Sequence, residues 1–516
     1  MQINVRADKA GINSLSLTTA LLAFSVVCVL FLALYNLTEY PLTWFDEGSH
    51  LHVPKTLVRF GEYADYSSEG FRYYGPTIGV GPTVMLPIAG MFALFGIGLM
   101  QARLVIVFYL LAAIVAFYLL ATQLGGRRLA WVAAALFVTS RGVGAFEYGR
   151  QVLGEVPGLF FILSGLVVWF SAWERASWRR LMVVGALLGL AVVTKTQFFI
   201  VLAPTLALGW LANLIYYRTA PQRVFIVPGL LLGLFFGLWQ SYVVVFLGPG
   251  AVSENLALYR AATASAATVF DFNLMKRSIG ELLSLKVYLG WLIPALAYGV
   301  FLALPRRREG GQWGLLLILV AVNLIWYIVA SVSWIRYAFP ALAVSSLFVA
   351  RFFNDLTDGY KFDVGALRQG VEALQKHGVR LALLATLAVM AALPLAQTAA
   401  EITFPAFNAP KAMADYLDHN VPPTALVETW EPEMGFLTDH NYHFPPQGAL
   451  YESVSYIWLE KTPPAENYHF VQENFPEYVL VGVFARWVNM YPADKLAEHY
   501  SLVTTIGGYE LYTLEK

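Results

Sequence analysis

The sequence predicts a polytopic α-helical membrane protein of about 11 transmembrane helices, with a small extracytoplasmic α/β domain at its C-terminal end. Three observations predict it. The chain is 58% hydrophobic and 13% charged, with about half the charge of an average soluble protein, and its mean hydropathy is +0.59. Apolar runs of spanning length recur from residue 17 to residue 398. Past about residue 400, prolines, acids, histidines and aromatics replace them. A soluble enzyme, a disordered chain and a fibrous repeat are excluded. Lys+Arg and Asp+Glu both total 34, which leaves no nucleic-acid footprint. The single cysteine, Cys28, lies in an apolar run, so no internal disulfide forms. The 14 Trp, 28 Tyr and 35 Phe suit long membrane interfaces.

The first run, Leu17 to Tyr35, follows Arg6 and Lys9. It exceeds a signal-peptide core and lacks a small-x-small cleavage site, so it reads as a retained span with a cytoplasmic N-terminus. Ten more runs cover roughly 104–124, 129–146, 157–173, 181–194, 197–216, 224–247, 286–304, 313–331, 338–353 and 380–398. Val84 to Leu99 is apolar too, but Pro87 and several glycines mark it as a re-entrant or interfacial helix. Positive charge then sets the orientation. Arg127 and Arg128, the Arg175–Arg180 loop, Arg218 with Arg223, Arg306–Arg308, and the stretch from Arg351 to Arg380 all fall on the N-terminal side. Loop 36–100 and the tail after about residue 395 therefore lie outside. The division is a membrane part over 1–399 and an outer domain over 400–516. In that domain PKAMADYLDHN reads as a helix starting at Pro410, and EYVLVGVFARW and YELYTLEK read as strands. The cluster Asp439, His440 and His443 is a weak metal signal and reads as a surface loop.

The chemistry is narrowed by what is missing. GxxxxGK, strand-led GxGxxG, HExxH, CxxC and GxSxG do not occur, which argues against a nucleotide-driven pump and the familiar hydrolases. The unusual polar residues sit at the outer ends of spans. Asp46 and Glu47 open the run WFDEGSHLH, with His50 one helical turn from Asp46. A plain helix start, with Asp46 as cap, explains the pair equally well. Arg150 and Glu155 flank the turn RQVLGEVP. Lys195 stands alone in an apolar turn, as does Arg336 beside Tyr337 in SVSWIRYAFP. A buried charge costs roughly 2.5–3.5 kcal/mol at mid-bilayer, so each is either a snorkelling cation or a phosphate ligand. Arg260, in the outer stretch 248–285, is placed to gate access.

A transferase outside the cytoplasm needs an activated donor that the membrane delivers, and a polyprenyl-phosphate sugar meets that need. Its leaving phosphate is stable as an anion and asks for cations rather than a proton. One carboxylate then suffices as base on the acceptor hydroxyl, where a glycosidase needs two.

The acid pair after span one, the stretch GPTVMLPIAGMFALFG–QAR, the RQVLGEVP turn, LAVVTK and WIRYAFP occur in this order over residues 10–350. Together they resemble the GT-C superfamily of membrane glycosyltransferases, in the glycosyltransferase family 39-like branch of protein O-mannosyltransferases and aminoarabinose transferases. The resemblance implies inverting transfer in a bacterial plasma membrane from a polyprenyl-phosphate sugar to a hydroxyl of a glycan, lipid or protein. It implies Asp46 as base with Glu47 as its partner, Lys195 and Arg336 on the lipid phosphate, and Glu155 lining the cavity. Some members of the superfamily use a divalent cation. Asp46, Glu47, His50 and Glu155 offer ligands for one, but their spacing does not establish a site. The continuation Gly48-Ser49-His50 departs from the small-then-aromatic pattern of many relatives. Two other readings stand beside this one: a multi-span lipid or glycan flippase, and a glycan polymerase or ligase with a polyprenyl-diphosphate donor.

Overall fold

The structure, a computed structural model, describes residues 20, 23–73, 79–174, 176–248, 250–263, 268–361, 371–446, 448–459, 462–471 and 475–515. Arg6, Lys9, Arg175 and Arg368 of the charge argument lie outside them.

Among the described residues, each expected apolar run holds a helix, though the runs at 129–146 and 286–304 are helical only in part. Helix α1 spans Ala23–Leu34. Helix α2 (Phe45–Phe60) follows, then the hairpin β1 (Asp65–Ser67) and β2 (Gly70–Arg72), and α3 (Pro82–Phe95). Helix α4 (Leu99–Thr139) joins two expected spans. Its backbone leaves the helical region at Gly125 and at Gly126, where φ is 78°. A positive φ suits glycine, and the chain folds back there, so that Phe117 stacks on Phe137 with ring centroids 4.9 Å apart.

The membrane part continues with α5 (Ala145–Tyr148), α6 (Glu155–Ser171), α7 (Trp178–Thr194), α8 (Phe198–Ala212) and α9 (Arg223–Tyr242). Both α8 and α9 run on as single π-turns, to Tyr217 and Leu247. Then come α10 (Val252–Thr263), α11 (Phe272–Leu282), α12 (Leu292–Ala303), α13 (Arg308–Ala330), α14 (Phe339–Leu356) and α15 (Val371–Thr403). Among the described residues, six helices are long and apolar enough to cross a bilayer, and four more are apolar but shorter. Glycines let helices meet closely: a Cβ at Gly158 would lie 1.9 Å from the Phe198 ring.

The C-terminal elements are α16 (Ala409–Asn420), β3 (Leu426–Thr429), α17 (Pro432–Leu437), β4 (Asn441–His443), α18 (Ala449–Leu459), β5 (Tyr478–Val481), α19 (Val483–Trp487), α20 (Ala493–Ala497), β6 (Tyr500–Ile506) and β7 (Tyr509–Leu514). The five strands form one mixed sheet, order β4-β3-β5-β7-β6, with β3 parallel to β4 and β5. One face buries Met413, Leu417, Val427, Leu480 and Leu511. The other buries Val479, Val481 and Trp430, together with Phe45 from α2.

Two readings of the tail are corrected. EYVLVGVFARW is strand only to Val481, and Gly482 breaks it so that Val483–Trp487 is helical. The cluster around Asp439 is not a free loop. Asn441–His443 is an edge strand with Tyr442 and His443 buried. Asp439 takes both Nη atoms of Arg59, at 2.8 and 2.7 Å, so it ties this edge to α2.

Candidate active site

Helix α2 carries the acid pair at its start. Trp44 is its N-cap and makes no side-chain cap, so Asp46 is not the cap. Successive helical residues point about 100° apart, and the two acids go to different partners. Asp46 Oδ2 lies 2.5 Å from Arg336 Nη2. Glu47 turns into the protein core, where no part of it is exposed. There Arg103 Nε donates to Glu47 Oε1 at 2.8 Å and Arg103 Nη2 to Oε2 at 2.5 Å. The Val152 amide adds a third bond at 3.0 Å.

Arg336 is the hub. It lies in the short turn between α13 and α14, and its Nε is 3.9 Å from Glu155 Oε1. Lys195, at the end of α7, donates to that same oxygen. The cluster therefore reads Asp46, Arg336, Glu155, Lys195, with opposite charges alternating. Such burial costs several kcal/mol per ion unless partners compensate, and aromatic faces share the compensation. The Arg336 guanidinium lies 4.0 Å from the Trp334 ring centroid, 5.5 Å from Trp44 and 5.6 Å from Tyr337. Lys195 Nζ is 5.7 Å from Tyr337. Glu155 Oε2 and Arg336 Nε are buried without a protein hydrogen-bond partner. Both residues line a narrow cleft that Lys195, Gln197, Asn323 and Tyr337 help to close.

His50 sits one turn beyond Asp46. Its Nδ1 donates to the Val152 carbonyl at 2.9 Å, which leaves Nε2 as the acceptor nitrogen. Burial, set against the nearby Asp46 carboxylate, lowers its pKa and keeps the ring neutral.

Of the residues expected at the site, Asp46, Glu155, Lys195, Arg336 and Tyr337 converge, with His50 beside them. Three do not join them. Glu47 is taken by Arg103. Arg150, fully buried, donates to the carbonyls of Leu32, of Tyr35 at 2.7 Å and of Tyr40 at 3.0 Å, where the end of α1 leaves acceptors open. Arg260 is an exposed residue of α10. The four ligands offered for a divalent cation do not fit one, because three of them are carboxylates held by Arg336, Arg103 and Lys195. No group of three or more metal-ligating side chains occurs among the described residues. Arg103 was not singled out from the sequence, although an arginine at the edge of an apolar run was its visible signal.

The residues after the acid pair dock the C-terminal domain. A Cβ on Gly48 would lie 2.2 Å from the Glu433 backbone nitrogen, so only glycine lets α17 approach. His52 bonds the Pro432 carbonyl through Nε2 at 2.7 Å and places Nδ1 2.7 Å from Asp65. Lys55 donates to the carbonyls of Gly435, Phe436 and Thr438 at 2.8, 3.2 and 2.9 Å, capping the end of α17.

Residues 80–240 match the model of the dolichyl-phosphate-mannose-protein mannosyltransferase family. That span holds Arg103, Glu155 and Lys195 but neither Asp46 nor Arg336. No curated protein matches the chain. Among solved structures, the chain is similar to ArnT from Cupriavidus metallidurans bound to undecaprenyl phosphate, at 13% identity and a TM-score of 0.65, over 96% of this chain and 98% of that one. It is also similar to the archaeal oligosaccharyltransferase AglB from Archaeoglobus fulgidus, in complex with an inhibitory peptide and a dolichol-phosphate. That likeness has 16% identity and a TM-score of 0.55, over 96% of this chain and 74% of that one. The likeness to these two proteins is one of fold over nearly the whole chain, and the family model matches residues 80–240 within it.

Proposed function

We propose that the chain moves a sugar from a polyprenyl-phosphate donor to an acceptor hydroxyl, with inversion, at the membrane face that carries residues 400–516. The observation that carries this reading is the convergence of Asp46, Arg336, Glu155 and Lys195 from four separate elements into one cluster of alternating charge, the last three lining one cleft and Asp46 paired to Arg336 beside it. Arg336 and Lys195 hold the donor phosphate. Glu155 keeps the two cations together until the phosphate competes for them. The acceptor oxygen attacks the anomeric carbon as the bond from that carbon to the phosphate oxygen breaks. The phosphate leaves as an anion neutralised by the two cations, and Asp46 takes the hydroxyl proton. ArnT, with undecaprenyl phosphate, and AglB, with dolichol-phosphate, are structural neighbours whose own lipids support this donor class.

Basic residues support an extracytoplasmic site. Arg127 and Arg128 follow the fold-back of α4, Arg179 and Arg180 open α7, Arg223 and Arg308 open α9 and α13, and Arg351 nears the end of α14. The opposite ends of α7, α13 and α14 lead to Lys195 and Arg336, so these charges mark the far side of the membrane part.

The test separates base from clamp. Asp46→Asn should retain polyprenyl-phosphate binding and lose about 10²–10⁴-fold in transfer rate. Lys195→Ala and Arg336→Ala should each weaken lipid-phosphate binding by about 1.5–3 kcal/mol. Transfer by Asp46→Asn within a few-fold of wild type would remove the base assignment. Unchanged lipid binding in the folded double cation variant would remove the clamp.

A further inference from the structure

Trp44 and Trp334 flank the Arg336 guanidinium and meet edge to face, with centroids 5.8 Å apart. From Trp334 the indoles continue outward. Trp458 of α18 stands 6.0 Å from Trp334, and Trp487 of α19 stands 5.8 Å from Trp458. The inner rings belong to turns of the membrane part and the outer two to the C-terminal domain. The run begins at the half-buried Asp46–Arg336 pair and ends at Trp487, which is 46% exposed. Arg277 of α11 places its guanidinium 5.2 Å from the Trp458 ring.

A single tryptophan at a membrane surface needs no explanation beyond headgroup contact. A ladder assembled from both domains, continuous with the site and carrying an arginine, does need one. An indole face is electron-rich, and a sugar ring presents a face of polarised C–H groups rimmed by hydroxyls. Stacking satisfies the first, and guanidinium donors satisfy the second.

We propose that the acceptor is a saccharide, free or as the sugar portion of a glycolipid, and that Trp458 and Trp487 form its subsite. They hold the sugar rings next to the one whose hydroxyl meets Asp46. This rests on the transferase reading above and names the acceptor class for the same site.

The test uses the full chain purified in detergent. Saturation-transfer NMR is recorded with maltotetraose, chitotetraose and mannotetraose as probes, and with unglycosylated serine- and threonine-containing peptides in parallel. Saturation of ring C–H protons is expected for at least one tetrasaccharide. Trp487→Ala and Trp458→Ala should each raise its Kd about tenfold or more. Trp487→Phe, which keeps an aromatic face, should restore most of the affinity. Trp131→Ala, on the lipid-facing side of α4, should change nothing. Polyprenyl-phosphate binding should be the same in every tryptophan variant, so a failure of the donor reading shows separately, as lost lipid binding by wild type. Wild type that binds none of the saccharides overturns the proposal. So does binding that both alanine variants keep, or peptides that bind where the saccharides do not.

Discussion

Asp46 and Glu47 are chemically alike and adjacent, yet one reaches Arg336 with part of its side chain exposed and the other is sealed in the core. The Glu47–Arg103 pair is sealed on every side, so its two charges depend on each other. Removing one partner of a buried pair costs about 3–5 kcal/mol. Glu47→Ala should therefore lower the thermal unfolding temperature of the purified protein markedly, and Asp46→Ala should lower it little. If Glu47→Ala melts like wild type and only turnover is lost, Glu47 acts on substrate instead. Sequence showed that acids at this position were unusual, and the 100° step between neighbours already implied two environments. It did not show which acid faced which way, because Arg103 and Arg336 lie 56 and 290 residues away from their partners and spacing does not pair them. The lone cations were legible one by one: Lys195 and Arg336 each interrupt an apolar turn, and both proved to lie on one cleft.

At the scale of elements, α2 is held from two directions. Arg103 grips its first turn, and α17 rests on Gly48, His52 and Lys55. Gly48→Ala should push α17 away, since backbone rather than a flexible side chain occupies the space. The expected result is faster proteolysis between residues 403 and 432 and reduced transfer. A digestion pattern identical to wild type would show that the seam yields at no cost. On the sheet, burial disfavours charge on His443, but Glu428 at 2.5 Å and Glu69 at 3.5 Å outweigh it, and the pKa is raised. Tyr468 and Tyr491 face the same Glu428 carboxylate. A histidine with a raised folded pKa adds stability in full below its unfolded value, about 6.5, and loses it as pH rises through the higher folded value. Melting of the C-terminal domain should accordingly drop as pH climbs from about 6 upward, and His443→Gln should flatten that slope. A slope that the variant keeps would point to another group. This edge strand was unreadable from its own residues. DHNYH has too few apolar positions to signal a strand, and its order comes from pairing with β3 and from α2.

For the whole molecule, the alternation of apolar runs and basic turns carried most of the architecture, because hydrocarbon leaves the backbone few options but the helix. The fold-back at Gly125 and Gly126 was legible as a gap between two runs. The contact of α2 with a sheet more than 370 residues later was not, since no local pattern records it. Orientation gives the remaining prediction. On a Cys28-free background, a cysteine at position 307 should react only with reagent admitted to the cytoplasm, and one in the exposed part of 400–516 only from outside. Labelling of position 307 from outside would reverse the assignment of faces. The grip of Arg150 on the end of α1 also has a bearing on synthesis. The carbonyls of Leu32 and Tyr35 receive their donor from a residue 118 and 115 positions further along. At roughly 5–20 residues per second, a ribosome takes on the order of ten seconds to reach it. For that interval the nascent first helix waits at the insertion machinery with its last turn open to water or lipid headgroups, and it settles only when the turn after α5 arrives to close it.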